Sequence, residues 1–129
     1  MNVADKARLY SEARRVLDGG GHLALWDITI GGHGELDYPL PWATRPDVSR
    51  LVTTEQLKSS IESAGFEIER WNDLTDQAAS TMQALLALPP NPLGLHAFVA
   101  DFAVKAENLT AALSDGRLRA IQGVARATD

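Results

Sequence analysis

The sequence predicts an α/β fold, because segments of helical apolar spacing alternate with short strand-like runs and glycine or proline separates them. Three observations carry that reading. His22 to Ile30 is nearly continuous in apolar residues at its start and has glycine clusters on both sides, Gly19-Gly20-Gly21 and Gly31-Gly32-His33-Gly34. Such a run suits a strand covered on both faces by helices, inside a parallel sheet. Thr53-Thr54-Glu55-Gln56 opens a helix that passes through Gly65 into a second strand. Pro89-Pro90-Asn91-Pro92 divides two helical arms that precede a third strand.

The first element is a helix capped by Asp5, with Leu9, Tyr10, Ala13, Val16 and Leu17 on one stripe and Lys6, Arg8, Glu12 and Arg14 outside. Asp18-Gly19-Gly20-Gly21 ends it, since glycine enters positive φ freely and permits a tight turn into the strand. After that strand come about twenty residues with Pro39, Pro41 and Pro46 and no clear period. A loop of that length in a compact domain is uncommon unless it serves as a lid or binding loop. Thr53 and Gln56 form a capping box ahead of the stripe Leu57, Ile61 and Ala64. Phe66 to Trp71 is mostly alternating, which suits a strand near a sheet edge. A helix over Asp76 to Leu88 carries Ala79, Met82, Leu85 and Leu86. Its partner arm spans Leu93 to Leu113, with Leu95, Phe98, Val99, Phe102, Ala106 and Leu109 as core, and Gly116 stops it. Leu118 to Ala127 is the last strand.

Composition narrows function. With 129 residues, 45% of them hydrophobic, the chain buries a real core as a single domain or less. Lys and Arg total 12 against 17 acidic residues, a net charge of -5 with no basic block, which disfavours nucleic acid as a partner. The absence of cysteine removes disulfides, thiolate catalysis and thiolate metal sites, and fits the cytoplasm. The longest apolar run, Ala84 to Leu88, is too short to cross a bilayer. His22, His33 and His96 lack ligand spacing, so no metal site is expected.

Local wording adds a resemblance. Arg15-Val16-Leu17-Asp18-Gly19-Gly20-Gly21-His22-Leu23 resembles the passage R-V-L-x-P-G-G-x-L before the fifth strand of class I, Rossmann-like S-adenosylmethionine-dependent methyltransferases, of the type 11 kind, with Gly19 in place of the proline. Glu62-Ser63-Ala64-Gly65-Phe66 resembles the E-x-A-G-F that leads into the sixth strand, and Gly123 to Ala127 is similar to the seventh, antiparallel strand. The resemblance implies a partial sheet of strands five, seven and six, the last strand antiparallel, with flanking helices and a helical hairpin. It also implies that residues 1–129 are the C-terminal portion of a methyltransferase domain. The glycine-rich cofactor loop and the ribose-binding acid belong upstream of Met1. Gly31-Gly32-His33-Gly34 does not replace that loop, because it leads into loop rather than helix. S-adenosylmethionine is thus the cofactor of the intact family, and this chain alone is expected to bind none.

Methyl transfer is an in-line displacement in which an enzyme aligns acceptor and donor and excludes water, so no fixed catalytic triad is expected. Ligands of open α/β sheets sit beyond the carboxyl ends of the strands. Candidate residues are therefore Asn2 toward the cofactor, and Trp26, Asp27, Tyr38 and Trp42 toward a small-molecule acceptor. Trp26 reads as an aromatic wall or, with more weight, as core. Trp42 lies in the long loop, where either reading stands. Asp27 can orient an acceptor or cap nearby loop amides, and Tyr38 carries the same ambiguity. His33 can be a general base, though a solvated loop histidine is the plainer reading. A fifth strand without its fourth neighbour has an open edge, so a homodimer, and with it a non-catalytic association module, is the alternative expectation.

Overall fold

The structure is a computed structural model that describes every residue except Pro90, and only the backbone of His96. Readings that fall on Pro90 and on the His96 side chain lie outside the described residues. Helix α1 covers Lys6–Val16, β1 His22–Ile30, α2 Thr54–Ser63, β2 Phe66–Asp73, α3 Thr75–Leu86, α4 Phe102–Ser114 and β3 Leu118–Ala127. The caps follow local chemistry. Asp5 accepts from the Arg8 amide at 2.8 Å, and Thr53 and Gln56 exchange side-chain to backbone bonds at the start of α2.

The sheet has the order β1-β3-β2, and β3 runs antiparallel to both neighbours. That is the order and direction the resemblance implies. One face carries α1 and α2, which bury Tyr10, Leu57 and Ile61 against Phe66, Ala125 and Ala127. The other carries the hairpin of α3 and α4, packed through Ala79, Ala112 and Leu113 against Leu118 and Ala120.

Side-chain parity along β2 reverses at a bulge between Ile68 and Arg70. An extra residue in one strand turns the following side chains over. Phe66 and Ile68 lead the strand on the α1/α2 face, and the bulge returns Trp71 to that same face, with its ring against Gly123 of β3. The simple alternation of the sequence does not show this.

Four expectations are corrected. Strand β1 does not lie inside a parallel sheet. It is at an edge, and its strand partner among the described residues is the antiparallel β3. Nor is it covered on both faces, for the hairpin reaches Ile28 but leaves Trp26 63% exposed. The arm from Leu93 to Leu113 is not one helix: a short 3-10 turn at Leu95–Ala97 is followed by Asp101 at φ 54°, and α4 starts only at Phe102. Asp is one of the few residues that enters the left-handed region readily, so the break falls there. Phe98 is consequently 74% exposed instead of core. Lys6, expected outside, is 7% exposed and its ammonium donates to the carbonyls of Val3 at 2.9 Å and Arg50 at 3.2 Å.

Candidate functional site

The long loop, residues 31–53, starts at the carboxyl end of β1 and is held in place by ordinary chemistry. Leu40 and Ala43 exchange backbone hydrogen bonds of 2.8 and 3.1 Å, closing a turn with Pro41 and Trp42 at its tip, and both closing residues are buried. Ser49 Oγ accepts from Trp42 Nε1 at 3.2 Å, while the Trp42 ring packs against the hairpin side of the core with Leu36 and Leu51. Asn108 of α4 donates to the carbonyl of Pro39 at 3.1 Å. At the loop's far end the Ile30 amide donates to Val52 at 2.9 Å, a short parallel bridge that covers the last residue of β1.

Arg117 is the principal fastener. Its guanidinium donates to the Glu35 carbonyl at 2.7 Å, to the Asp37 carboxylate at 3.0 Å and to the Asp115 carboxylate at 2.8 Å. The side-chain hydrogen bond from Arg117, with that from the Arg117 amide, holds the Asp115 carboxyl below the ordinary carboxylate range. Arg117→Ala is expected to leave the sheet intact and to loosen residues 31–40. Hydrogen exchange of those amides should accelerate while exchange in β3 does not, and unchanged loop protection would contradict the role.

Asn2 and Trp42 meet directly, since Asn2 Nδ2 donates to the Trp42 carbonyl at 2.9 Å. Asp27 lies beside them, its Oδ1 accepting from the Ile28 amide at 2.9 Å and from the Met1 amino group at 3.2 Å. Its carboxylate is thus bound to a strand amide, not to amides of the loop. Trp26 points to the opposite face of the sheet, because successive side chains of a strand alternate. Trp26 and Asp27 therefore cannot face a single small ligand together. Tyr38 is half-buried and precedes a cis bond to Pro39. Lys6, Asn108 and Arg117 organise the loop and were missed; their roles rest on contacts 44, 69 and 82 residues away along the chain, for which the local sequence carries no signal.

Tyr10 backs this region from α1. Burial, and then the charge of Asp27, push its phenol up to about 12. The neutral form is the one the fold favours, so the unfolded chain releases this proton first as pH rises. Stability is expected to fall between about pH 10 and 12 through this group. Tyr10→Phe should flatten the loss, as read by urea unfolding across that range, and an unaltered slope would contradict it.

The fit of a nucleotide-type cofactor can be judged from the glycines. A Cβ on Gly31 would come within 2.4 Å of the Gly116 carbonyl oxygen, and the Gly32 amide donates to that same oxygen at 2.7 Å. The cluster is glycine so that two chain segments can touch, and no amide cradle opening a helix is built there. Asn2 is already engaged by the loop. The described residues hold no cluster of side chains able to bind a metal ion.

No protein-family profile matches the sequence, and no curated protein matches it. Solved structures do. The chain is similar to the geranyl diphosphate C-methyltransferase of Streptomyces coelicolor A3(2), solved with Mg2+, geranyl diphosphate and S-adenosyl-L-homocysteine, at 13% identity and a TM-score of 0.70, over 99% of this chain and 44% of that one. It is similar to the mycolic acid cyclopropane synthase CmaA1 at 17% identity and a TM-score of 0.67, over 95% and 52%. The [4+2]-cyclase SpnF matches at 23% identity and a TM-score of 0.60, over 98% and 46%. The chain thus spans about half the length of the structures it matches, and its fold is half of a class I methyltransferase fold. A cyclase among these neighbours shows that the fold does not dictate the reaction.

Proposed function

We propose that this chain is the C-terminal half of an S-adenosylmethionine-dependent methyltransferase of small molecules, inactive by itself, whose glycine-rich cofactor half is joined to it or supplied by another chain. The observation that carries the reading is the sheet itself: an antiparallel β3 between β1 and β2, with the long loop fastened across the carboxyl end of β1. Ligands of such sheets lie at that end. Asn2 and Asp27 stand there toward the cofactor and acceptor, with Trp42 and Tyr38 on the covering loop. Their task is alignment and exclusion of water, and no acid or base step is assigned to them. Absence of cysteine fits a reducing compartment such as the cytoplasm. No helix among the described residues is long and apolar enough to cross a membrane.

The test compares this chain with a longer protein that includes the coding sequence upstream of Met1. Calorimetry should find no micromolar binding of S-adenosylmethionine by the chain alone and micromolar binding by a joined protein that carries a glycine-rich strand-loop-helix. Micromolar binding by the chain alone, or none by the joined protein, would overturn the proposal.

A second reading, a non-catalytic homodimeric module, is favoured by the edge of β1. The Ile30 amide points outward to Val52, so by the alternation of an antiparallel pair the backbone groups of Ala24 and Trp26 also point outward. No strand among the described residues pairs with them. An open apolar edge invites pairing with a copy of itself. Sedimentation equilibrium should then give a dimer at micromolar concentration, and a stable monomer counts against it.

A further inference from the structure

The α3/α4 hairpin does not seal against the sheet. Between them lies a cavity of about 260 Å³ walled by Trp26, Ile28, Met82, Leu109, Leu113 and Ala120. Gln77 and Thr81 are the only polar side chains on its lining, and none is charged. Trp26 also borders a second hollow of about 320 Å³ on the same sheet face, where Arg70, Asn72 and Gln122 stand. The surface therefore changes from apolar to cationic and amide-rich across one exposed indole. Trp suits such a boundary, having an apolar body and a polar edge. Arg70 makes no ion pair among the described residues, whereas Arg126, on the same face of the sheet, pairs with Glu67 and Glu69.

We infer that this face binds a single-chain anionic amphiphile, with its apolar tail between hairpin and sheet and its carboxylate or phosphate head on Arg70, beside Asn72 and Gln122. A chain with no charge on its tail matches a lining with none, and an anionic head matches the unpaired guanidinium. This site faces away from Asp27, because successive side chains of β1 alternate.

The probe is decanoate, used below its micelle-forming concentration. Met82 is the one methionine besides Met1, so a chain carrying 13C-methyl methionine reports on the cavity wall by a single internal signal. A saturable shift of the Met82 methyl is expected. Arg70→Gln should weaken decanoate about tenfold, the scale of one hydrogen bond to a charged group, while leaving decanol unaffected. Ala78→Leu, which fills the cavity, should weaken both. Circular dichroism establishes that each variant is folded. The inference is overturned by the absence of a saturable Met82 shift, by decanoate affinity unchanged in folded Arg70→Gln, or by affinity for both probes unchanged in folded Ala78→Leu.

Discussion

Leu57→Ala is expected to destabilise the protein by about 2–5 kcal/mol, enough to consume a large part of the roughly 5–15 kcal/mol available to a domain. Leu57 is 0% exposed and stands where α2 meets α1 and the sheet, among Tyr10, Ile61, Phe66 and Ala125. Its side chain fills a space that backbone elements fix from three sides, so the cavity left by truncation cannot collapse fully. Urea unfolding followed by circular dichroism measures the cost. Val16→Ala is the control: Val16 lies on the apolar stripe of α1 that also carries Tyr10 but is 68% exposed, so its loss should stay within about 0.5 kcal/mol. Equal costs at the two positions would mean that α2 does not pack as described.

The second large effect is expected at Gly123→Val. A Cβ at that position would lie 2.8 Å from both Cε3 and Cζ3 of Trp71 and 3.5 Å from Leu25. An indole is rigid, and this one is held over the middle strand by the bulge that turned it to the α1/α2 face. Overpacking of this kind costs about 1–3 kcal/mol. The mechanism makes a sharper statement than the magnitude does. In a Trp71→Leu background the added valine should cost much less, because the clashing ring is gone, so the two substitutions should couple strongly rather than add. Additive losses in a double-mutant cycle would show that Gly123 is required for some reason other than the ring.

These two sites mark the division between what the sequence shows and what it hides. The helix starts at Asp5 and Thr53 were legible because a cap is a contact between residues three apart. Both ends of β1 and the start of β3 were legible because glycines punctuate them. The order β1-β3-β2 came from the resemblance of short passages, not from periodicity. The bulge in β2 was not legible, since Phe66 to Trp71 reads as an alternating strand until one asks which face Trp71 must occupy. The exposure of Trp26 was hidden for a different reason. An apolar run shows that a strand suits burial, but not whether a helix is long enough to reach it. The same limit applies to the site. Asn2, Asp27 and Trp42 were singled out from their position near a strand end and in a long loop, and the structure sets Asn2 against the Trp42 carbonyl and Asp27 against the Met1 amino group. Arg117, which fastens that loop, is one charged residue among many until its distant acceptors are known.

Cross-strand contacts between Hα protons measure the sheet directly. The outward-facing residues of β1 form the close, non-hydrogen-bonded pairs of an antiparallel ladder, Ala24 with Val124 and Trp26 with Gln122. Strong nuclear Overhauser effects between those Hα protons are expected. Their absence, or a helical pattern of sequential contacts from Leu23 to Ile30, would contradict the half-domain and the functional reading built on it.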